Sequence, residues 1–152
     1  MLITQLLADT PATEQLGSQL LAYLPKKCLI FLRGQLGAGK TTLVRGFLQS
    51  AGHFGTVKSP TFTLVEPYLL KEFEVFHFDL YRLVDAEELM WIGIEDYLAQ
   101  QAICFIEWAE QGAGILPEPD MIIELEIHNN QRFAKLHLIS ASLQQRYLAQ
   151  LL

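Results

Sequence analysis

Gly34-Gln35-Leu36-Gly37-Ala38-Gly39-Lys40-Thr41 decides how the rest of this chain is read. The stretch satisfies the pattern G-x-x-x-x-G-K-[ST] in full, and both flanks have the character that pattern requires. Ahead of it, Cys28-Leu29-Ile30-Phe31-Leu32 is an unbroken apolar run, as a strand buried on both faces would be. Behind it, Leu43, Val44, Phe47, Leu48 and Ala51 recur at helical spacing, so a helix opens near Lys40. Glycines allow positive φ and let backbone N–H groups converge on a phosphate. The helix start adds unpaired N–H donors and the positive end of a dipole. In such a loop Lys40 sets a point charge on the β- and γ-phosphates, and the Thr41 hydroxyl is a ligand for Mg²⁺. Four fixed positions match by accident in roughly one chain of this length in a few hundred, and the flanking strand and helix lower that further. Nucleotide binding is the expected chemistry.

The 152 residues fit a single domain over 1–152, and half of them are apolar with 18% charged, a composition that folds around a core. A net charge of −6 argues against a nucleic-acid groove or an anionic-membrane surface. The lysines and arginines are scattered, with Lys26-Lys27 the one adjacent pair, expected to be a solvated edge. No basic region precedes a long apolar run at the N-terminus, so no signal peptide is expected, and the apolar runs are too short to span a bilayer. Cys28 and Cys104 each sit inside an apolar run and form no C-x-x-C pair. Buried, reduced thiols in a cytoplasmic protein are the expectation. The four histidines, at 53, 77, 128 and 137, lack the spacing of zinc ligands.

Along the chain, Met1 to Leu7 reads as an edge strand. Thr10-Pro11 reads as N-cap and first residue of a helix carrying Leu16, Leu20, Leu21 and Leu24, ended by Pro25. Thr63 to Tyr68 and Glu74 to Phe78, parted by Lys71-Glu72, form a hairpin whose first strand Pro67 confines to an edge. Asp85 with Glu88 loosely fits a capping box for a short helix through Leu89, Met90 and Trp91, and a second short helix covers Ile94 to Ala99. Ala102 to Ile106 is a further buried strand. Ile123, Leu125 and Ile127 alternate with acids, and Phe133 to Leu138 alternates again across Asn129-Asn130, giving a hairpin with one exposed face. Ser142 starts a terminal helix.

Two acids stand at strand ends. Asp79 closes Val75-Phe76-His77-Phe78, and Glu107 closes Ile103-Cys104-Phe105-Ile106. A carboxylate buried alone is costly, so Asp79 needs either a Mg²⁺-side position or a partner such as Arg82, and the sequence leaves both open. His77 is expected to pack at the strand surface. Glu107 is the better candidate for the acid beside Mg²⁺ and the attacking water in a phosphate-loop enzyme. Trp108 is either a packing residue or a neighbour of the nucleotide. On pattern alone Thr61, directly after Ser59-Pro60, reads as a threonine opening a strand.

Taken together, Gly34 to Thr42, Ser59-Pro60-Thr61-Phe62-Thr63, Phe78-Asp79-Leu80-Tyr81-Arg82, Glu87-Glu88-Leu89 with Gly93, and Ile106-Glu107-Trp108 resemble in order and spacing the TsaE (YjeE) family. These are the ATPases of bacterial tRNA threonylcarbamoyladenosine biosynthesis. The resemblance runs from about Leu29 to Pro119. It implies a small Mg²⁺-dependent ATPase, turning ATP into ADP and phosphate, that works with TsaB- and TsaD-like proteins. Carried over by position, Gly37, Ala38, Gly39, Lys40, Thr41 and Thr42 would hold phosphates and Mg²⁺, and Thr61 would sense the γ-phosphate. Asp79 would be a Mg²⁺-side acid, Glu107 the acid assisting hydrolysis, with Lys40, and Trp108 would lie beside the nucleotide. Gln35 departs from the family, which usually has Asp there.

Other phosphate-loop classes fit less well. A GTPase base reader [NT]-K-x-D and a D-x-x-G switch are both missing, and Arg33, Arg45, Arg82, Arg132 and Arg146 are too dispersed for a kinase lid. A non-enzymatic nucleotide-sensing adaptor is the alternative from another class. The expectation is therefore a three-layer α/β phosphate-loop nucleoside triphosphate hydrolase fold with a mixed, partly parallel central sheet. His53 to Pro67 is the candidate switch segment, with Phe62 and Tyr68 presenting an apolar face to a protein partner. Strong tRNA binding by the isolated chain is not expected, because that binding is dominated by phosphate neutralisation.

Overall fold

The computed structural model describes all residues, 1–152. Its centre is the run quoted first: β2 (Cys28–Arg33), the glycine loop, and α2 (Lys40–Ser50). β2 lies in parallel register between β5 (Ala102–Glu107) and β6 (Met121–His128), and β4 (Glu74–Asp79) continues the parallel core beyond β5. Antiparallel strands extend both sides. β3 (Val65–Leu69) pairs with β4; β7 (Gln131–Leu138) pairs with β6, and β1 (Leu2–Leu7) with β7. The seven-stranded order is β1-β7-β6-β2-β5-β4-β3.

Strand periodicity divides the core in two. Cys28, Ile30 and Leu32 of β2, with Ile103 and Phe105 of β5, face α1 (Thr10–Leu20), α2 and Leu143 of α5 (Ala141–Gln150). Leu29 and Phe31, with Phe76, Phe78, Cys104 and Ile106, face the short helices α3 (Glu88–Trp91) and α4 (Ile94–Ala99). Helices on both faces of a mostly parallel sheet give three layers, the α/β architecture in which ligands gather at the carboxyl ends of strands. Helices α1 and α2 cross where both chains are bare. A Cβ on Gly17 would strike the Leu43 carbonyl, and one on Gly46 would strike the Glu14 carbonyl. That close crossing brings the start of α1 against the glycine loop, with Thr13 Cγ2 about 3.3 Å from where a Gly39 Cβ would sit.

Two N-cap expectations are corrected, while the β6–β7 hairpin and the buried free cysteines are as expected. The N-cap of α1 is Asp9, whose Oδ1 accepts from the Ala12 N–H at 2.9 Å; Thr10 is already helical and Pro11 follows it. A carboxylate one residue earlier outcompetes the threonine hydroxyl for the free donors. Helix α5 is likewise capped by Ser140, not Ser142. The capping-box fit of Asp85 and Glu88 is partial: Glu88 accepts from the Val84 and Asp85 N–H groups, Asp85 from that of Glu87, and α3 begins at Glu88. Asn129 and Asn130 both take positive φ, 50° and 62°, which makes the β6–β7 link a tight primed-type turn. Both cysteines are free and buried; burial pushes the Cys104 thiol up to about 12 and raises Cys28 as well.

Candidate functional site

The carboxyl ends of β2, β4 and β5 and the start of α2 enclose a cleft of about 650 Å³. Gly37, Gly39, Lys40, Thr41 and Thr42 line one wall, and Thr61, Asp79, Glu107 and Trp108 line the other. Nine of the ten residues singled out in the sequence therefore meet in one cavity. Ala38 is the exception: it is buried beneath the loop, where its Cβ would crowd a Cβ placed on Gly34. Gly39 sits at φ 109° as the N-cap of α2, so the first turn of that helix presents its free N–H groups to the cleft.

Period-two alternation explains how the acids arrive. His77 and Asp79 of β4, and Phe105 and Glu107 of β5, lie on the α2 face of the sheet, with Asp79 directly opposite Glu107 in the register. Strand β2 ends at Arg33, and the chain turns back over the sheet to start α2 above these two acids. Lys40 Nζ donates to the Gly34 carbonyl at 2.6 Å and lies 3.3 Å from Glu107 Oε1. It also stands 5.3 Å from the centroid of the Trp108 ring, within cation–π range. On the other side of Glu107, Oε2 accepts from His77 Nε2 at 2.7 Å. Burial alone would raise the Glu107 pKa. The hydrogen bond and charge of His77, with Lys40 behind them, outweigh that and hold it below the ordinary 4.5.

Asp79 is held differently. Its Oδ2 accepts from the Thr61 hydroxyl at 2.9 Å and its Oδ1 from the Tyr81 N–H at 3.0 Å. Of the two alternatives left open for it, pairing with Arg82 is not what the side chains do, because the Arg82 guanidinium stacks 4.3 Å from the Phe62 ring centroid. The strand-opening reading of Thr61 is corrected as well. Residues 60–63 form a turn, β3 begins at Val65, and Thr61 hydrogen-bonds Ser59 at 2.8 Å as well as Asp79. Leu64 and Trp108, neither a glycine, take φ of 69° and 57° on the two segments bordering the cleft. Such conformations cost about 1–3 kcal/mol each and persist where surrounding contacts enforce them. Here the Leu64 carbonyl accepts the Asp79 N–H at 3.0 Å, and Trp108 packs on Tyr81 with ring centroids 5.1 Å apart.

Sequence reasoning missed three contributors and misplaced a fourth. His77 is fully buried, not at the strand surface, and its place two residues before Asp79 was a signal that it shares the acid's face. Tyr81 lines the cleft through the same Asp79 turn. Arg132 enters from the start of β7 to lie beside Gly39, and no local pattern could announce a contact made across the sheet. In the candidate switch, Tyr68 does not join Phe62 on an exposed face; it is buried, with its hydroxyl accepting from the Lys58 N–H at 3.2 Å. Phe54 and Phe62 are the exposed aromatics of that segment. No helix is long and apolar enough to cross a membrane.

Comparison with known proteins identifies the family. The family profile described as "Threonylcarbamoyl adenosine biosynthesis protein TsaE" matches residues 7–135. Three relatives are each named tRNA threonylcarbamoyladenosine biosynthesis protein TsaE. The Haemophilus influenzae protein is 46% identical over 135 residues, 86% of this chain and 85% of its own. That of Synechocystis is 42% identical over 111 residues, 69% of each chain. The Bacillus subtilis relative is 32% identical over 114 residues, 75% of this chain and 71% of its own. Among solved structures, that of Bacillus subtilis YdiB superposes with a TM-score of 0.83, covering 99% of this chain and 94% of the other at 22% identity, a likeness of fold. With its phosphate-loop fold and a profile match over most of its length, this chain belongs to the TsaE family.

Proposed function

We propose that this chain is the ATP-binding and ATP-hydrolysing component of the tRNA threonylcarbamoyladenosine modification machinery, acting in the cytoplasm on TsaB- and TsaD-like partners through a nucleotide-dependent switch. The observation that carries the reading is the convergence of Lys40, Thr41, Thr61, Asp79 and Glu107, from four separate chain segments, on one cleft above a glycine loop. The phosphates of ATP would lie in the cradle of residues 37–42. Lys40 would then leave the Gly34 carbonyl and Glu107 Oε1 for the β- and γ-phosphates. Trp108 would flank the bound nucleotide.

The cleft's oxygen donors fit a hard divalent cation. The Thr41 hydroxyl and the carboxylates of Asp79 and Glu107 line it together, and no group of three or more His, Cys, Asp or Glu is arranged to hold a metal unaided. That pattern suits Mg²⁺, which leans on one or two carboxylates and on substrate phosphates. When bound, Mg²⁺ would neutralise charge on the phosphate oxygens. Water attacks the γ-phosphorus, the bond to the β,γ-bridging oxygen breaks, and ADP and phosphate form. Glu107, still held at Oε2 by His77, orients that water and accepts its proton.

Thr61 connects chemistry to output. Its hydroxyl bonds Asp79 and would meet the γ-phosphate of bound ATP, so the segment from His53 to Pro67 would move with nucleotide state, as ordered loops do in other switches. Exposed Phe54 and Phe62 give that segment an apolar face for a protein partner. The test is capture of purified TsaB and TsaD by this chain with ADP, ATP or a slow ATP analogue, alongside phosphate release with and without them. The expected result is slow hydrolysis alone, faster turnover with partners, and capture that depends on nucleotide. Partner capture indifferent to nucleotide, or nanomolar tRNA binding by the isolated chain at physiological salt, would contradict the proposal.

A further inference from the structure

Glu107 is tethered at both oxygens, and the two tethers have different fates. Oε1 is held by Lys40, a residue that phosphate binding recruits; Oε2 is held by His77, which lies beneath the cleft floor. We propose that His77 is the positioning residue for Glu107, holding its carboxylate in the hydrolytic orientation once nucleotide has drawn Lys40 away. The inference rests on the role given to Glu107 above.

Three observations carry it. First, the imidazole is fully buried on the α2 face of β4, among the apolar side chains Val75 and Phe105 of the same layer. Second, its Nδ1 is buried with no hydrogen-bond partner among the protein's own groups, so the Nε2 bond to Glu107 is the ring's one polar contact with the rest of the chain. A histidine kept for packing would leave its desolvation unrepaid on one side, where a leucine or phenylalanine would fill the space without that cost. Third, His77 and Glu107 stand on adjacent parallel strands in diagonal register, so the tether is part of the sheet and independent of loop conformation. Asp79 makes the contrast: its oxygens are held by Thr61 and the Tyr81 N–H, both outside the strands.

The consequence is a specific dependence of His77 on Glu107. Single-turnover hydrolysis and ADP and ATP affinities are compared for the wild type, His77→Leu, His77→Gln, His77→Asn, Glu107→Gln and the His77→Leu/Glu107→Gln pair. His77→Leu should slow hydrolysis about 10- to 100-fold, the range seen when a supporting hydrogen bond is removed from a site ligand. Its ADP affinity should stay within about threefold, a split that marks loss of an interaction used in the transition state. Glutamine carries an N–H near the position of Nε2 and should restore most of the rate, whereas the shorter asparagine should not. In the pair, loss of His77 should add little to loss of the Glu107 charge, because one residue acts through the other.

If His77→Gln is as slow as His77→Asn while both bind ADP normally, or if the pair falls below Glu107→Gln by the full single-variant factor, His77 has no positioning role. His77→Leu at wild-type speed beside a slow Glu107→Gln would overturn the positioning alone. Glu107→Gln at wild-type speed would overturn the role of Glu107 and this inference with it. Should His77→Leu fail to fold, the glutamine and asparagine variants, both polar and smaller than a ring, decide the question.

Discussion

Glu107 and Glu126 are wired alike. Glu107 gives Oε1 to Lys40 at 3.3 Å and Oε2 to His77 at 2.7 Å; Glu126 gives Oε1 to Lys135 and Oε2 to His128, each at 3.0 Å. The sheet separates their meanings. The Glu107 cluster is at most 8% exposed in any member, whereas the Glu126 cluster lies on the outer β6–β7 hairpin with side chains 30% to 64% exposed. An exposed pair gains little, since water screens it and long side chains lose freedom. A buried one carries a desolvation penalty of several kcal/mol per ion that good geometry only partly offsets. Identical residue types and connections thus mark a fold detail in one place and a candidate site in the other. Burial beside a glycine loop makes the difference.

The comparison is sharpened first at Lys40. Hydrogen bonds to charged groups are worth about 1.5–3 kcal/mol each, so Lys40→Ala should weaken ATP binding at least tenfold and abolish turnover. Titration calorimetry with ATP checks this, and wild-type affinity in the variant would end the phosphate-loop reading. Thr61→Ala comes next. If the hydroxyl meets the γ-phosphate as proposed, its removal should leave ADP affinity within about threefold while nucleotide-dependent partner capture is lost. A drop in ADP and ATP affinity together would instead make Thr61 a structural support of Asp79.

A smaller effect separates the two glutamates by salt. Both pKa values lie below the ordinary 4.5. At Glu107 burial pushes upward but is outweighed by His77 and Lys40; at Glu126 the hydrogen bonds from Lys135 and His128 pull downward. A depressed carboxylate contributes stability that is present above its unfolded value and lost as pH falls through the folded one, so both contributions fade below pH 4.5. At 1 M salt the screening length is about 3 Å, which should return the exposed Glu126 toward 4.5 and move the buried Glu107 less. Carboxyl carbon NMR titrations at low and high salt measure it, and equal responses would erase the distinction. The smallest effect is expected of Glu126→Gln, which should shift the melting temperature by no more than about 2 °C and leave hydrolysis unchanged.

Much of the cleft was legible because its parts are local patterns. The glycine loop, the apolar run before it and the helical spacing after it each occupy consecutive residues, and Asp79 and Glu107 announce themselves as charges ending apolar strands. What the sequence hid was contact across elements. His77 reads as one polar residue in an aromatic strand until β5 places Glu107 diagonally beside it. Arg132 sits in an exposed-looking hairpin until β7 folds back beside β6 and brings it to Gly39. Thr61 looked like the first residue of a strand because a proline precedes it, but Leu64 at φ 69° delays β3 and leaves the threonine free to reach Asp79. Caps were misassigned at Thr10 and Ser142 because another acceptor stood one or two residues earlier, Asp9 and Ser140.

The most direct test of the account is single-turnover hydrolysis by Glu107→Gln at saturating ATP, with nucleotide affinity measured on the same sample. The substitution keeps the side chain's shape and removes its charge. General-base assistance contributes roughly 10²–10⁴-fold, so phosphate release should fall by that range while MgATP still binds. Hydrolysis at the wild-type rate would contradict the account, and so would failure to bind MgATP, which would make Glu107 a structural or obligate metal-site residue.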